Sequence, residues 1–156
     1  MDERIDSVEE IRQWTDSIPF HYEYTAGVAG ERFLRGLMAG KIFAGYCANC
    51  RETSLPPRMY CVKCFGEIKR FVRVRTMGTV SAMTTTLTGQ DGKALEQPIT
   101  FAYVTFEGVA GGMLHRIVGR ARVGSTVKPR FKRKRDRKGS ILDIEGFVRE
   151  PRRRTR

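Results

Sequence analysis

Four cysteines stand at Cys47, Cys50, Cys61 and Cys64. They read Cys-Ala-Asn-Cys and Cys-Val-Lys-Cys, two Cys-x-x-Cys knuckles separated by ten residues. Each knuckle turns tightly enough to aim two sulfurs at one point, and a loop of that length brings the second pair round to the first. Four thiolates at ~2.3 Å satisfy the tetrahedral preference of Zn2+ and leave no open position for an activated water. Such a site holds structure. Iron accepts the same four ligands, because sulfur geometry alone separates the two metals poorly; zinc is the expectation. Two disulfides are the other use of four thiols. Met1-Asp2-Glu3-Arg4 opens no basic-then-apolar secretory signal, so the expected compartment is the cytoplasm, where disulfides are rare.

Four thiolates around a divalent cation leave the site anionic. Arg51, Arg58 and Lys63, within or beside the knuckles, are cations able to offset that charge, and each also reads as an ordinary solvated residue. Leu55-Pro56-Pro57 between the knuckles fits the stiff connection of a small metal-pinned ribbon, one too small to have a core without its ion.

Elsewhere nucleophilic or acid–base chemistry has little to draw on. The two histidines, His21 and His115, lie in different halves, and a triad needs one beside a nucleophile and an orienting acid. Gly27-Val28-Ala29-Gly30 is too weak a glycine pattern to bind phosphate by itself. No catalytic residue is assigned, and the chain reads as not an enzyme.

The elements that must position the cysteines come in two kinds. Ahead of them, Ser7-Val8-Glu9-Glu10 reads as a capping box, with Val8, Ile11 and Trp14 at helical spacing before Pro19. A second helix is expected over Glu31–Ala39, with Phe33, Leu34, Leu37 and Met38 in one stripe and Gly40 as its stop. Gly36 inside it costs ~1 kcal/mol relative to Ala. These stripes either fold back onto the ribbon or dock on another protein, and the aromatic connector Phe20–Tyr24 leans towards a contact surface.

After the cysteines, helical periodicity disappears. Five strands are expected: Thr79–Leu87, Ile99–Phe106, Met113–Val118, Thr126–Lys134 and Ile141–Val148, separated by glycine-bearing turns. In the second, Ala102, Val104 and Phe106 share one face, with Phe101, Tyr103 and Thr105 on the other. In the fifth, Leu142, Ile144 and Val148 face inward. Pro129 implies an edge or a bulge. Five short strands suit a small closed barrel of the oligonucleotide/oligosaccharide-binding (OB) type, with the usual helix between strands three and four reduced to a turn at Gly119–Gly124.

Charge separates the two halves. Residues 1–70 hold ten Lys/Arg against ten Asp/Glu, whereas residues 71–156 hold nineteen against seven, so the whole net charge of +12 lies in the second half. A field of that sign attracts polyanions: nucleic acid, a nucleotide cofactor or an acidic protein surface. Alternation along the fourth strand sets Lys128, Arg130, Lys132 and Lys134 on one face as a continuous positive strip, while Arg152–Arg156 reads as a solvated tail. With 40% apolar and 29% charged residues and no run near the ~18 apolar residues of a transmembrane helix, a membrane protein is excluded.

The order of parts resembles the zinc-ribbon/OB-fold family catalogued as domain of unknown function number thirty-five. The likeness rests on Phe33-Leu34-Arg35-Gly36-Leu37 leading into Gly40-Lys41-Ile42, the Cys47–Cys64 knuckles around Pro56-Pro57, Gly78-Thr79-Val80, and Gly124-Ser125-Thr126-Val127. It covers roughly Arg32–Val148. Arg51 and Phe65 follow the knuckles where that family frequently has glycine. The resemblance implies a mainly β chain: a helical arm over residues 1–43, a rubredoxin-like zinc ribbon over 44–70, a five-stranded OB barrel over 71–150 and a basic tail over 151–156. It also implies an accessory subunit of thiolase-fold enzymes, in a hetero-oligomer. Archaeal members bridge acetoacetyl-CoA thiolase and hydroxymethylglutaryl-CoA synthase, and others pair with thiolases or hydratases. Helices and ribbon then serve docking while the barrel helps hold coenzyme A or an acyl-CoA, with Lys128, Arg130, Lys132 and Lys134 as phosphate contacts. The alternative is a single-stranded nucleic-acid-binding module in which Phe101, Tyr103 and His115 line one face of a basic groove.

Overall fold

The computed structural model describes His21 and residues 23–150. The expected helix at Ser7–Trp14 and the basic tail Arg152–Arg156 lie outside those residues. In chain order the elements are α1 (Gly27–Met38), β1 (Phe43–Cys47), β2 (Glu52–Leu55), β3 (Arg70–Arg73), β4 (Gly78–Thr88), β5 (Ala94–Thr105), β6 (Ala110–Val118), β7 (Thr126–Phe131) and β8 (Ile144–Arg149). Two 3-10 turns, Lys134–Asp136 and Ile141–Asp143, precede β8. Among the described residues no helix is long and apolar enough to cross a membrane.

α1 starts at Gly27 rather than Glu31, and no local signal marks that start. Ala26 occupies the N-cap position and makes no side-chain hydrogen bond. Leu37 is fully buried, and Phe33 and Leu34 pack against the core. Met38, one residue and about 100° further round the helix, is exposed. Gly36 proves to be a contact. A Cβ there would stand 2.5 Å from Cδ2 of Phe43, so its absence lets the helix lie against β1. The stripe of α1 is therefore used within the chain.

β1 pairs antiparallel with β2 on one side and β3 on the other, forming the ribbon sheet. The far edge of β2 pairs parallel with β6, at Ser54–Ala110 and Leu55–Gly111, which joins the ribbon to the barrel. Gly111 has φ +85°, and any Cβ there would collide with the Leu55 carbonyl oxygen, so the junction requires glycine.

The barrel runs β4–β5–β6 as an antiparallel meander. β7 pairs with β4 and β8, and β8 closes the circuit through a parallel pairing with β6. First strand on fourth and third on fifth is the Greek-key order of an OB barrel. All five expected strands are present; β5 and β6 start earlier than expected, at Ala94 and Ala110, and the last two strands have different ends. β7 stops at Phe131, so the chain leaves the strand before Lys132 and Lys134. β8 begins at Ile144, and the 3-10 turn ahead of it shifts the alternation, leaving Leu142 exposed while Ile144 and Phe147 are buried. Asp143, almost completely buried, causes both changes. Its carboxylate accepts from the backbone N–H groups of Lys138, Gly139 and Ser140 at 2.8–3.2 Å, and its carbonyl accepts from Lys132 N–H at 2.8 Å. Pro129 lies beyond the short β4–β7 pairing, on an edge that needs no N–H from it.

One apolar cluster runs through both parts. Val80, Val104, Val127, Ile144 and Phe147 come from the barrel, and Leu37, Ile42, Ala44, Leu55 and Val74 join them from the helix–ribbon side. The knuckles sit apart, in a small cluster of Cys47, Cys61 and Ile68, against which Cys50 packs.

Candidate metal centre and ligand face

Cys47 ends β1 and Cys50 closes the turn into β2, while Cys61 and Cys64 belong to the second knuckle, between the bridging residues Tyr60 and Glu67. The fold brings all four sulfurs within 4.8 Å of one another. Cys47 Sγ lies 3.6 Å from Cys64 Sγ and Cys61 Sγ 3.7 Å from Cys50 Sγ. Tetrahedral bonds of ~2.3 Å place sulfurs roughly 3.8 Å apart, so this donor set fits a tetrahedral thiophilic ion. Disulfides, with sulfurs ~2.05 Å apart, do not describe these contacts; all four cysteines are free. Backbone N–H groups point at the cluster from Cys50 to Cys47 Sγ and from Lys63 to Cys61 Sγ, both at 3.4 Å. The amide of Asn49 faces Cys64 Sγ at 4.0 Å.

The turn geometry has a conformational cost. Arg51 and Phe65, the residues after each second cysteine, both adopt φ 54°, the left-handed region that favours glycine. For an L residue this costs roughly 1–2 kcal/mol. Each nevertheless completes its knuckle, and Phe65 N–H donates to the Cys61 carbonyl at 2.9 Å.

Protonation is uneven across the cluster. The backbone N–H groups of Cys64 and Lys63 draw the Cys61 thiol down to about 6, while hydrogen bonds shared with Cys64 and Cys61 push Cys50 up to about 12. Cys61 gives up its proton more readily than Cys50, and an entering divalent ion must displace protons. Of the neighbouring cations, Lys63 is already engaged by Glu52, whose carboxylate raises its pKa.

The expected positive strip is not continuous. Lys128 pairs with Glu150 at 2.7 Å and Arg130 with Glu145 at 2.8 Å. Lys132 and Lys134 lie past the end of β7 and make no ion pair among the described residues. Alternation failed here because Asp143 folds the following loop back. Glu145 sits on the strand that pairs with β7 and Glu150 just past its end, a relation the spacing of lysines and arginines does not reveal.

The aromatic grouping also changes. Tyr103 faces Leu114 and Phe101 faces Arg116 across β5–β6, all on the outer surface. His115 pairs with the buried Ala102 and turns inward, edge-on to Phe147 with ring centroids 6.1 Å apart. Burial holds His115 below the ordinary imidazole range. Its Nδ1 accepts from Arg116 N–H at 3.0 Å, which assigns the remaining proton to Nε2, 3.3 Å from the Ile141 carbonyl. Beside it opens a cleft of about 440 Å³ lined by Ile99, Phe101, Leu114, Ile141 and Leu142, with Lys132 and Arg116 at its margin. The sequence does not reveal this cleft, because a strand over Ile141–Val148 would turn Leu142 inward.

Residues 35–70 match the family model described as ChsH2, rubredoxin-like zinc ribbon domain. The whole fold is similar to a protein of unknown function from the DUF35 family of Sulfolobus solfataricus. That likeness has 35% identity and a TM-score of 0.62, and covers 69% of this chain and 81% of that one. The chain belongs to the DUF35 family. A second solved DUF35 structure, the Ltp2–ChsH2 (DUF35) aldolase, shares the fold at 17% identity and a TM-score of 0.57, over 76% of this chain and 91% of that one. No curated protein matches the chain. Within this DUF35 chain the ribbon signature extends from the last turn of α1 to the first residue of β3.

Proposed function

We propose that this DUF35 chain is a non-catalytic accessory subunit. It docks on a thiolase-fold enzyme of acyl-CoA metabolism, as a hetero-oligomer, and helps hold the CoA moiety. The observation that carries this reading is the shared ribbon-and-barrel fold of a DUF35 chain in an Ltp2–ChsH2 aldolase. Physical features support it. Four sulfurs around one point leave a tetrahedral ion no vacant position, and both ring nitrogens of His115 are committed to the backbone. In this reading Cys47, Cys50, Cys61 and Cys64 hold structural Zn2+. Lys128, Arg130, Lys132 and Lys134 face the CoA phosphates, the last two making no ion pair among the described residues.

Co-expression with the thiolase-fold enzyme of the native host, followed by calorimetry with CoA on the chain alone and on the complex, tests this. Co-elution and a stronger CoA signal in the complex are expected. Separate elution with no heat in either arrangement overturns it, as does turnover of an acyl-CoA by the isolated chain.

A second reading, single-stranded nucleic-acid binding, is favoured by Phe101 and Tyr103 standing on the outer face, with Lys132 lining the same cleft as Phe101. A gel shift with single-stranded DNA or RNA that weakens steeply with salt would select it.

A further inference from the structure

The β4–β5 hairpin extends past the barrel as an arm. Among the described residues, β7 pairs with the second edge of β4 only at Gly78 and Thr79, Ser125 and Gly124 ahead of it bond Val80, and β6 pairs with β5 only from Phe101 to Thr105. Between Ser81 and Thr100 no residue is buried. A two-stranded arm of this kind is marginal in water unless a third strand or a packed face supports it.

Its two open edges differ. β5 carries Glu96 and Pro98, a charge and a residue without an N–H, which keep another strand away. β4 carries neither device. Its 11 residues, Gly-Thr-Val-Ser-Ala-Met-Thr-Thr-Thr-Leu-Thr, include no proline and no charge, in a chain with 29% charged residues. Thr86 satisfies the backbone of Thr88 at the tip through its Oγ1, which leaves the stretch before it open.

We propose that this edge pairs with the same edge of a second copy, antiparallel about a two-fold axis at Thr85. That register sets Thr84 opposite Thr86 and Met83 opposite Leu87. The exposed Leu87 gains an apolar neighbour in each direction. An uncharged strand places no like charges opposite each other, so self-pairing is tolerated locally in a chain of net charge +12. The pairing joins two barrels into one continuous sheet, and it stands independently of the accessory-subunit reading.

Sedimentation equilibrium of the metal-loaded full chain at moderate salt, from low to high micromolar, is the test. A monomer–dimer equilibrium is expected, with amide exchange of Ala82–Leu87 slowing as concentration rises. Thr85→Lys sets two ammonium groups together at the axis and moves the midpoint at least about tenfold higher. Gln97→Lys, on the β5 strand, leaves it unchanged. A monomer at every concentration overturns the proposal, as does a dimer indifferent to Thr85→Lys. A monomer with those amides already protected also overturns it, because another segment would then cover the edge. If Thr85→Lys disturbs folding, the concentration dependence of exchange in the unsubstituted chain decides alone.

Discussion

The ribbon and the barrel are held together by different physics. In the barrel, Val80, Val104, Val127, Ile144 and Phe147 are sealed from solvent, and each strand is held by side chains from several others. Around the knuckles the local cluster is Cys47, Cys61 and Ile68, so two of its three buried members are metal-ligand candidates. The barrel is a hydrophobic object. The knuckle end of the ribbon is an ionic one, held at a point, and only the opposite end, through Leu37, Ile42, Ala44 and Leu55, shares the barrel's core. The two parts should therefore fail separately and under different insults.

The largest effect expected is from metal removal. Structural zinc in small clips contributes on the order of 10 kcal/mol near neutral pH. A strong chelator should collapse the amide signals of the two knuckles, residues 47–51 and 60–68, to random-coil positions while β5 and β6 stay protected from exchange. Simultaneous loss of both would break the contrast. Acid should act like the chelator, because protons compete for the thiolates.

Phe147→Ala comes next, at about 3–5 kcal/mol for a fully buried aromatic. It should lower the barrel's urea midpoint, with metal content by spectrometry unchanged. Asp143→Ala should cost about 1–3 kcal/mol, because three backbone N–H groups lose their acceptor. Burial alone would raise that carboxyl, but the N–H groups of Lys138, Ser140 and Gly139 prevail and hold it below its ordinary value of 3.8. A depressed carboxylate stabilises the fold fully above its unfolded pKa and ceases to do so as pH falls through the lower folded value. Acid titration of the melting temperature should therefore show a step below 3.8 that is absent in Asp143→Asn.

The smallest effect has the opposite sign. Phe65→Gly should stabilise the ribbon by about 1 kcal/mol, since φ 54° suits glycine and Phe65 is 79% exposed. Slower metal release to a chelator would register it, with no change in the barrel's unfolding midpoint.

What could be read along the chain followed from short-range rules. The knuckles, the alternation of Ala102, Val104 and Phe106, and the glycine turns each involve neighbours a few residues apart. The misreadings came where a distant or hidden group set the backbone. Asp143 ended β7 early and turned Leu142 outward, yet an aspartate beside Ser140 looks like any turn residue until its burial is known. Gly36 read as a weakness of α1 because the ring of Phe43, which occupies the space of its missing side chain, belongs to another element. The ion pairs of Lys128 and Arg130 depend on which strand pairs with β7.

Spacing and composition alone gave the candidate metal-ligand cysteines, the number of barrel strands and the concentration of positive charge in the second half. It took the packed molecule to show that the basic strand is half neutralised, that His115 faces inward, that an apolar cleft opens beside Lys132 and that one edge of β4 is unpaired past Val80 among the described residues. Each of those depends on which residues far apart in the chain are packed within a few ångströms, and no local periodicity encodes that.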